Sequence, residues 1–220
     1  MKLFPSWAVL MFACLAHSTQ APAAESLFKE EFKGQMQPGW TWLREDRAAW
    51  RLTASGLEIR VQPGNMWGGA NNARNVLLRE APDPARGPVE VTLRLENHPT
   101  GQYEQVDLVW YYDDSNMVKI GQEIVDGALT VVMGREQNDR CRTVSINPIS
   151  DRKVQLRLRV EGGRIRGQFR PGEAEKWSDA GVCDLPVKGP PKISLQCYQG
   201  VPGQEHWAKL SEVILRQSLE

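Results

Sequence analysis

The chain is poor in the groups that do metal, redox or nucleophilic chemistry. Its 220 residues include 3 histidines and 4 cysteines. Only His98 and His206 lie beyond residue 24, too few for most multi-histidine metal sites. There is no G-x-S-x-G elbow, no H-E-x-x-H, no P-loop and no dinucleotide fingerprint. Charge of either sign is not in excess, since Lys+Arg and Asp+Glu both number 27. A balanced chain lacks the electrostatic footprint of a nucleic-acid binder. Long hydrophobic runs are missing as well. The stretch from Leu3 to Ala16 is too short, and too interrupted by Pro5 and Ser6, to span a bilayer.

That stretch reads instead as a leader. Lys2 supplies a positive start, and Ala21-Pro22-Ala23 fits the small-x-small cleavage pattern of a secretory signal. Residues 1–24 are therefore predicted to direct a secreted or periplasmic protein with no membrane insertion, leaving 25–220 as one domain. Removing them takes away one charge and leaves 26 basic against 27 acidic residues, a net charge of −1. About 196 residues remain, enough to bury roughly 70% of the unfolded surface without disulfide support. Cys141, Cys183 and Cys197 allow at most one internal bridge. Cys183 with Cys197 is one option, and three small buried apolar residues is the other.

The composition is that of an ordinary globular protein, 41% hydrophobic and 25% charged. Strand patterns dominate it. Leu57–Val61, Val89–Leu95, Val154–Val160 and Arg164–Phe169 alternate apolar and polar residues, which places one set in a core and the other outside. Pro63-Gly64, Asp126-Gly127, Gly162-Gly163 and Pro202-Gly203 punctuate the strands, and Gly162-Gly163 is the clearest tight hairpin. No long amphipathic helix is evident. The expectation is an all-β sandwich, with Leu27–Phe32 and Trp207–Leu215 pairing to close an edge.

The most informative stretch runs from Gln102 to Gly127. A turn centred on Asp114 sets Leu108 against Ile120 and Trp110 against Val118 on the core face. The same register sets Gln105 against Glu123 and Val109 against Lys119. Gln105, Asp107, Tyr111, Lys119 and Glu123 then share the other face, and a slip of one residue would scatter them. This face reads either as a solvated surface or as a polar cleft for sugar hydroxyls beside an aromatic wall. Trp67 stands out among the tryptophans. It lies in Pro63–Asn72, a stretch too polar and glycine-rich for a core. Tyr198 and His206 are expected in or beside loops bordering the cleft. Asp113-Asp114-Ser115-Asn116 could ligate a structural calcium through its oxygens, but more often such a cluster is a hairpin turn. No other cofactor is implied.

Lys119-x-Gly121-x-Glu123, followed by Asp126-Gly127 and Leu129–Met133, resembles the lectin-like sandwich family that contains the regulation-of-enolase protein. It is also similar to the concanavalin A-like domain at the C-terminus of family-43 β-xylosidases. Gly39-Trp40-x-Trp42, Gly56-Leu57-x-Ile59, Asn75-x-Leu77-Leu78-Arg79, Tyr198-x-Gly200 and Trp207-Ala208 follow in matching order. The resemblance implies a concanavalin A-like jelly-roll of two antiparallel sheets, with Lys119 and Glu123 on the concave one. Retaining glucanases of that superfamily carry two carboxylates on alternate residues of one strand, roughly 5–5.5 Å apart. Here Gln105, Asp107 and Val109 hold those positions, with Glu104 on the opposite face, so only a cross-strand Asp107–Glu123 pair is left for hydrolysis. The expected function is an exported protein that binds carbohydrate or a glycan-bearing surface without catalysis. A glycoside hydrolase and a structural or protein-interaction domain are the alternatives. No pattern specifies the sugar or the oligomeric state.

Overall fold

A computed structural model describes residues 25–218. The leader predicted over residues 1–24 lies outside the described residues. Fifteen strands follow one another: β1 (Glu25–Glu30), β2 (Trp40–Leu43), β3 (Trp50–Thr53), β4 (Gly56–Arg60), β5 (Val76–Glu80), β6 (Val89–Glu96), β7 (Gln105–Asp113), β8 (Asn116–Val125), β9 (Ala128–Gln137), β10 (Arg140–Pro148), β11 (Lys153–Glu161), β12 (Arg164–Arg170), β13 (Ser178–Asp184), β14 (Lys192–Tyr198) and β15 (Trp207–Gln217). Among the described residues the only helical pieces are two short 3-10 turns, and no helix is long and apolar enough to cross a membrane.

The strands form two antiparallel sheets, the architecture of a jelly-roll sandwich. One runs β10-β9-β8-β7-β14-β5-β2. The other runs β13-β12-β11-β6-β15-β4-β3, with β1 also paired to β15. Alternation explains the core between them. Val91, Leu93 and Leu95 of β6 and Leu156, Leu158 and Val160 of β11 point inward from one sheet. Val106, Leu108 and Trp110 of β7 and Val118 and Ile120 of β8 meet them from the other. Each such side chain, fully buried, contributes about 1.5–3 kcal/mol.

The expected pairings form. Leu108 faces Ile120, Trp110 faces Val118, Gln105 faces Glu123 and Val109 faces Lys119. The hairpin at Gly162-Gly163 joins Glu161 to Arg164, and β1 lies along Val213–Gln217. The three described cysteines are all free thiols. Cys183 belongs to one sheet and Cys197 to the other, where it is buried in the core, so the bridge between them does not exist.

A second apolar cluster lies on the outer face of the seven-stranded sheet. The segment 61–75, between β4 and β5, folds over that face. It buries Met66 and Ala73 against Val76, Val109, Tyr111, Met117 and Tyr198 of the sheet. Gly200 lets it pass close to β14. A Cβ there would collide with the Val61 carbonyl, and the Gly200 N–H instead donates to the Gln62 carbonyl at 3.0 Å.

Candidate functional site

Lys119, Gly121 and Glu123 alternate along β8 on this outer face. Lys119 is 3% exposed, and a buried ammonium requires partners to offset its lost hydration. It has several. Its Nζ donates to the Gln105 side-chain carbonyl and lies 3.3 Å from Glu123 Oε2. It also sits 4.9 Å from the Trp67 ring centroid and 5.9 Å from that of Tyr198, within cation–π range.

Trp67 reaches this position because its loop is tied at both ends. Asn65 accepts from the Trp67 N–H at 3.0 Å and donates to its carbonyl at 2.8 Å. Glu136 of β9 accepts from the next N–H, that of Gly68, at 3.0 Å. On the sheet, Gly134 leaves room for the indole, since a Cβ there would stand 2.6 Å from the ring. Burial raises the pKa of Glu136, against the pull of the Gly68 N–H.

Together these groups edge a cavity of about 460 Å³, lined in part by Trp67, Tyr103, Gln105, Lys119, Glu123 and Ile146. That volume suits a small ligand, and the wall mixes apolar surface with a few polar groups. Four of the residues expected to meet a ligand therefore come together: Trp67, Gln105, Lys119 and Glu123.

The other four do not line it. Asp107 is on the expected face but lies beneath the surface, 1% exposed. Its carboxylate fills the space that Gly121 leaves open and makes no hydrogen bond. Desolvation pushes its pKa up to about 6, against the pull of Lys119. Asp107 thus offers the cavity no partner for Glu123. Tyr198 ends β14 beside the loop that begins at Gln199, and is wholly buried. Burial raises the pKa of its hydroxyl, the nearby Asp107 carboxylate raises it further, and the hydroxyl makes no hydrogen bond.

Tyr111 belongs to the second apolar cluster. Its hydroxyl donates to Asp114 at 2.8 Å, and Arg44 holds the other oxygen of that carboxylate at 2.8 Å. Asp113 accepts from the Ser115 N–H and the Asn116 amide. The Asp113–Asn116 cluster is accordingly a hairpin turn in which both Asp114 oxygens and one Asp113 oxygen are held by protein donors. Among the described residues no group of three acids, histidines or cysteines is arranged to hold a metal. His206 sits apart from the cavity, 2.6 Å from Asn97 and 3.2 Å from the buried Glu104. Burial lowers its pKa.

Tyr103 is the residue the sequence reading missed. It is 49% exposed at the cavity and holds a left-handed backbone at φ 64°, uncommon for a bulky residue. Glu104 builds the turn behind it, accepting from the N–H groups of Thr100 and Gly101 and from the Thr100 hydroxyl. An aromatic two residues after the turn signal Pro99-Thr100-Gly101 was the available signal.

Residues 29–185 match the β-xylosidase C-terminal concanavalin A-like domain. The chain belongs to this family. Similar solved structures include a mutant of the GH43 protein BlXynB from Bacillus licheniformis, 14% identical with a TM-score of 0.77 over 86% of this chain and 39% of that one. Xylan β-1,4-xylosidase from Bacillus halodurans C-125 is 16% identical, with a TM-score of 0.74 over 90% and 40%. A functionally unknown protein from Saccharomyces cerevisiae is 18% identical, with a TM-score of 0.66 over 83% and 98%. The chain thus spans about two fifths of the length of the two bacterial proteins. At these identities the likeness is one of fold. No curated protein matches the chain.

Proposed function

We propose that this concanavalin A-like domain is an exported carbohydrate-binding protein that holds an oligosaccharide in the cavity over β8 and β9 without cleaving it. The observation that carries the reading is the buried Lys119, locked between Gln105 and Glu123 beneath Trp67. Its ammonium and the Glu123 carboxylate are pre-positioned, so binding a hydroxyl requires little reordering of side chains. Trp67 and Tyr103 supply flat apolar surface for a sugar ring. The names of the xylosidases that share the fold favour a plant cell-wall glycan, and the leader-like residues 1–24 favour export.

A glycan array probed with the chain lacking residues 1–24, and with its Trp67→Ala and Glu123→Ala variants, tests this. Binding by the parent chain and its loss in both folded variants is expected. Equal binding by all three would refute the site. Release of sugar from a bound glycan would replace the reading with the hydrolase alternative.

A further inference from the structure

The eight-stranded sheet has its own unusual outer face. Arg157 and Arg159 alternate with core residues on β11, and Arg164 and Arg166 do the same on β12. Arg159 and Arg166 are directly opposed across the two strands. Like charges facing each other in this way are destabilising. Strand spacing places such opposed positions about 5 Å apart, and alternate residues of one strand about 7 Å apart.

Acids stand across the strands from these arginines as well, Glu90 opposite Arg159 and both Glu161 and Asp184 opposite Arg164, but not all of them close into ion pairs. Arg166 is paired to Asp179 at 3.0 Å. Arg157 is held by Gln168 at 3.0 Å, by Glu90 at 3.3 Å and by the Trp177 ring at 4.2 Å. Among the described residues, Arg159 and Arg164 make no ion pair within 4.0 Å. All four arginines line one trough of about 470 Å³, together with Glu90, Glu161 and Gln168. A smaller hollow of about 110 Å³ continues it past Arg159 to Arg216. This lies on the opposite side of the sandwich from the Lys119 cavity.

We propose that this trough is a second binding site and takes a glycan bearing carboxylates, such as a uronate oligosaccharide. Guanidinium groups bind carboxylates through paired, charge-assisted hydrogen bonds. Arg159 and Arg164 supply them without first breaking an internal ion pair. Glu90, Glu161 and Gln168 accept hydrogen bonds, which suits the hydroxyls of a sugar. A phosphate polymer is a poorer fit. It carries one charge about every 3.4 Å of strand and would press two of them against Glu90 and Glu161. A uronate chain interleaves its charges with hydroxyls.

The test uses isothermal titration of the chain lacking residues 1–24. The titrants are oligogalacturonate, a neutral xylo-oligosaccharide of the same length, and a single-stranded oligodeoxynucleotide of equal charge. Oligogalacturonate binding should weaken with salt. It should also fall about tenfold or more in the Arg159→Gln/Arg164→Gln double variant, as expected when charge-assisted hydrogen bonds are lost. Both residues are exposed, so this variant keeps the fold, and Trp67→Ala should leave the uronate affinity unchanged. Three results would overturn the proposal: no oligogalacturonate binding, unchanged affinity in the double variant, or tighter binding of the oligonucleotide. Loss of uronate binding in Trp67→Ala would move the ligand to the other face and overturn it too.

Discussion

The Asp107 carboxylate occupies the volume that a side chain at Gly121 would need. A Cβ at Gly121 would coincide with Asp107 Oδ1 and stand 2.7 Å from the Val106 carbonyl. The spacing Lys119-x-Gly121-x-Glu123 follows from this. Lys119 and Glu123 flank a gap, and a buried acid from the neighbouring strand fills it.

Gly121→Ala should therefore destabilise the fold by more than the usual 1–3 kcal/mol of an overpacked core. Adding Asp107→Ala should recover part of the loss but not all of it, because the Val106 carbonyl remains. Urea denaturation of the single and double variants measures this coupling. Additive effects would show that the two residues do not compete for space.

Gly134→Ala separates the site from the fold. The new methyl group displaces the Trp67 indole, which is carried on a loop and can yield. Stability should drop by about 1–2 kcal/mol at most, while affinity for the oligosaccharide falls roughly tenfold. Tryptophan fluorescence and calorimetry read the two effects separately. Unchanged affinity would mean that the indole position does not matter to binding.

Asp107 gives a pH signature. Its carboxyl titrates near 3.9 in an unfolded chain and at about 6 in the fold. Between those values the native state holds a proton that the unfolded state has lost, so this group makes stability fall as pH rises from about 4 to about 6. Asp107→Asn keeps the shape and removes the titration. Its stability relative to the parent chain should climb by roughly 1–3 kcal/mol from pH 4 to pH 7.5. Chemical denaturation at a series of pH values measures the difference, and a constant offset would contradict the assignment.

Glu104→Gln tests the turn behind Tyr103. The carboxylate is fully buried and accepts from three donors, so the substitution should cost about 1–3 kcal/mol. Oligosaccharide affinity should fall with it as the turn loosens. Tyr103→Ala should lose the affinity without the stability.

Apolar residues at Val106, Leu108, Trp110, Val118 and Ile120 made the register of β7 and β8, and with it the meeting of Gln105, Lys119 and Glu123, legible in the sequence. The same pattern could not distinguish Asp107 from its neighbours. Its burial depends on the space left by Gly121 across the hairpin and on the segment 61–75 that folds over the face, which is distant in sequence. Tyr198 is expected in or beside a loop because Gly200 and Pro202-Gly203 follow it closely, and it does end β14 next to that loop, paired with Gln105. Its complete burial is the part no local pattern reveals. His206 carries no pattern of its own, and its partners Asn97 and Glu104 lie about a hundred residues away. β10 and β13 lack clean alternation, and both are edge strands with exposed faces.

The most direct test is a two-dimensional amide NMR titration with xylo-, arabino-, cello- and manno-oligosaccharides. The account predicts saturable shifts for at least one of them, clustered on Trp67, Tyr103, Lys119, Glu123 and Gly134. Shifts confined to other surfaces, or none with any of the four, would contradict it.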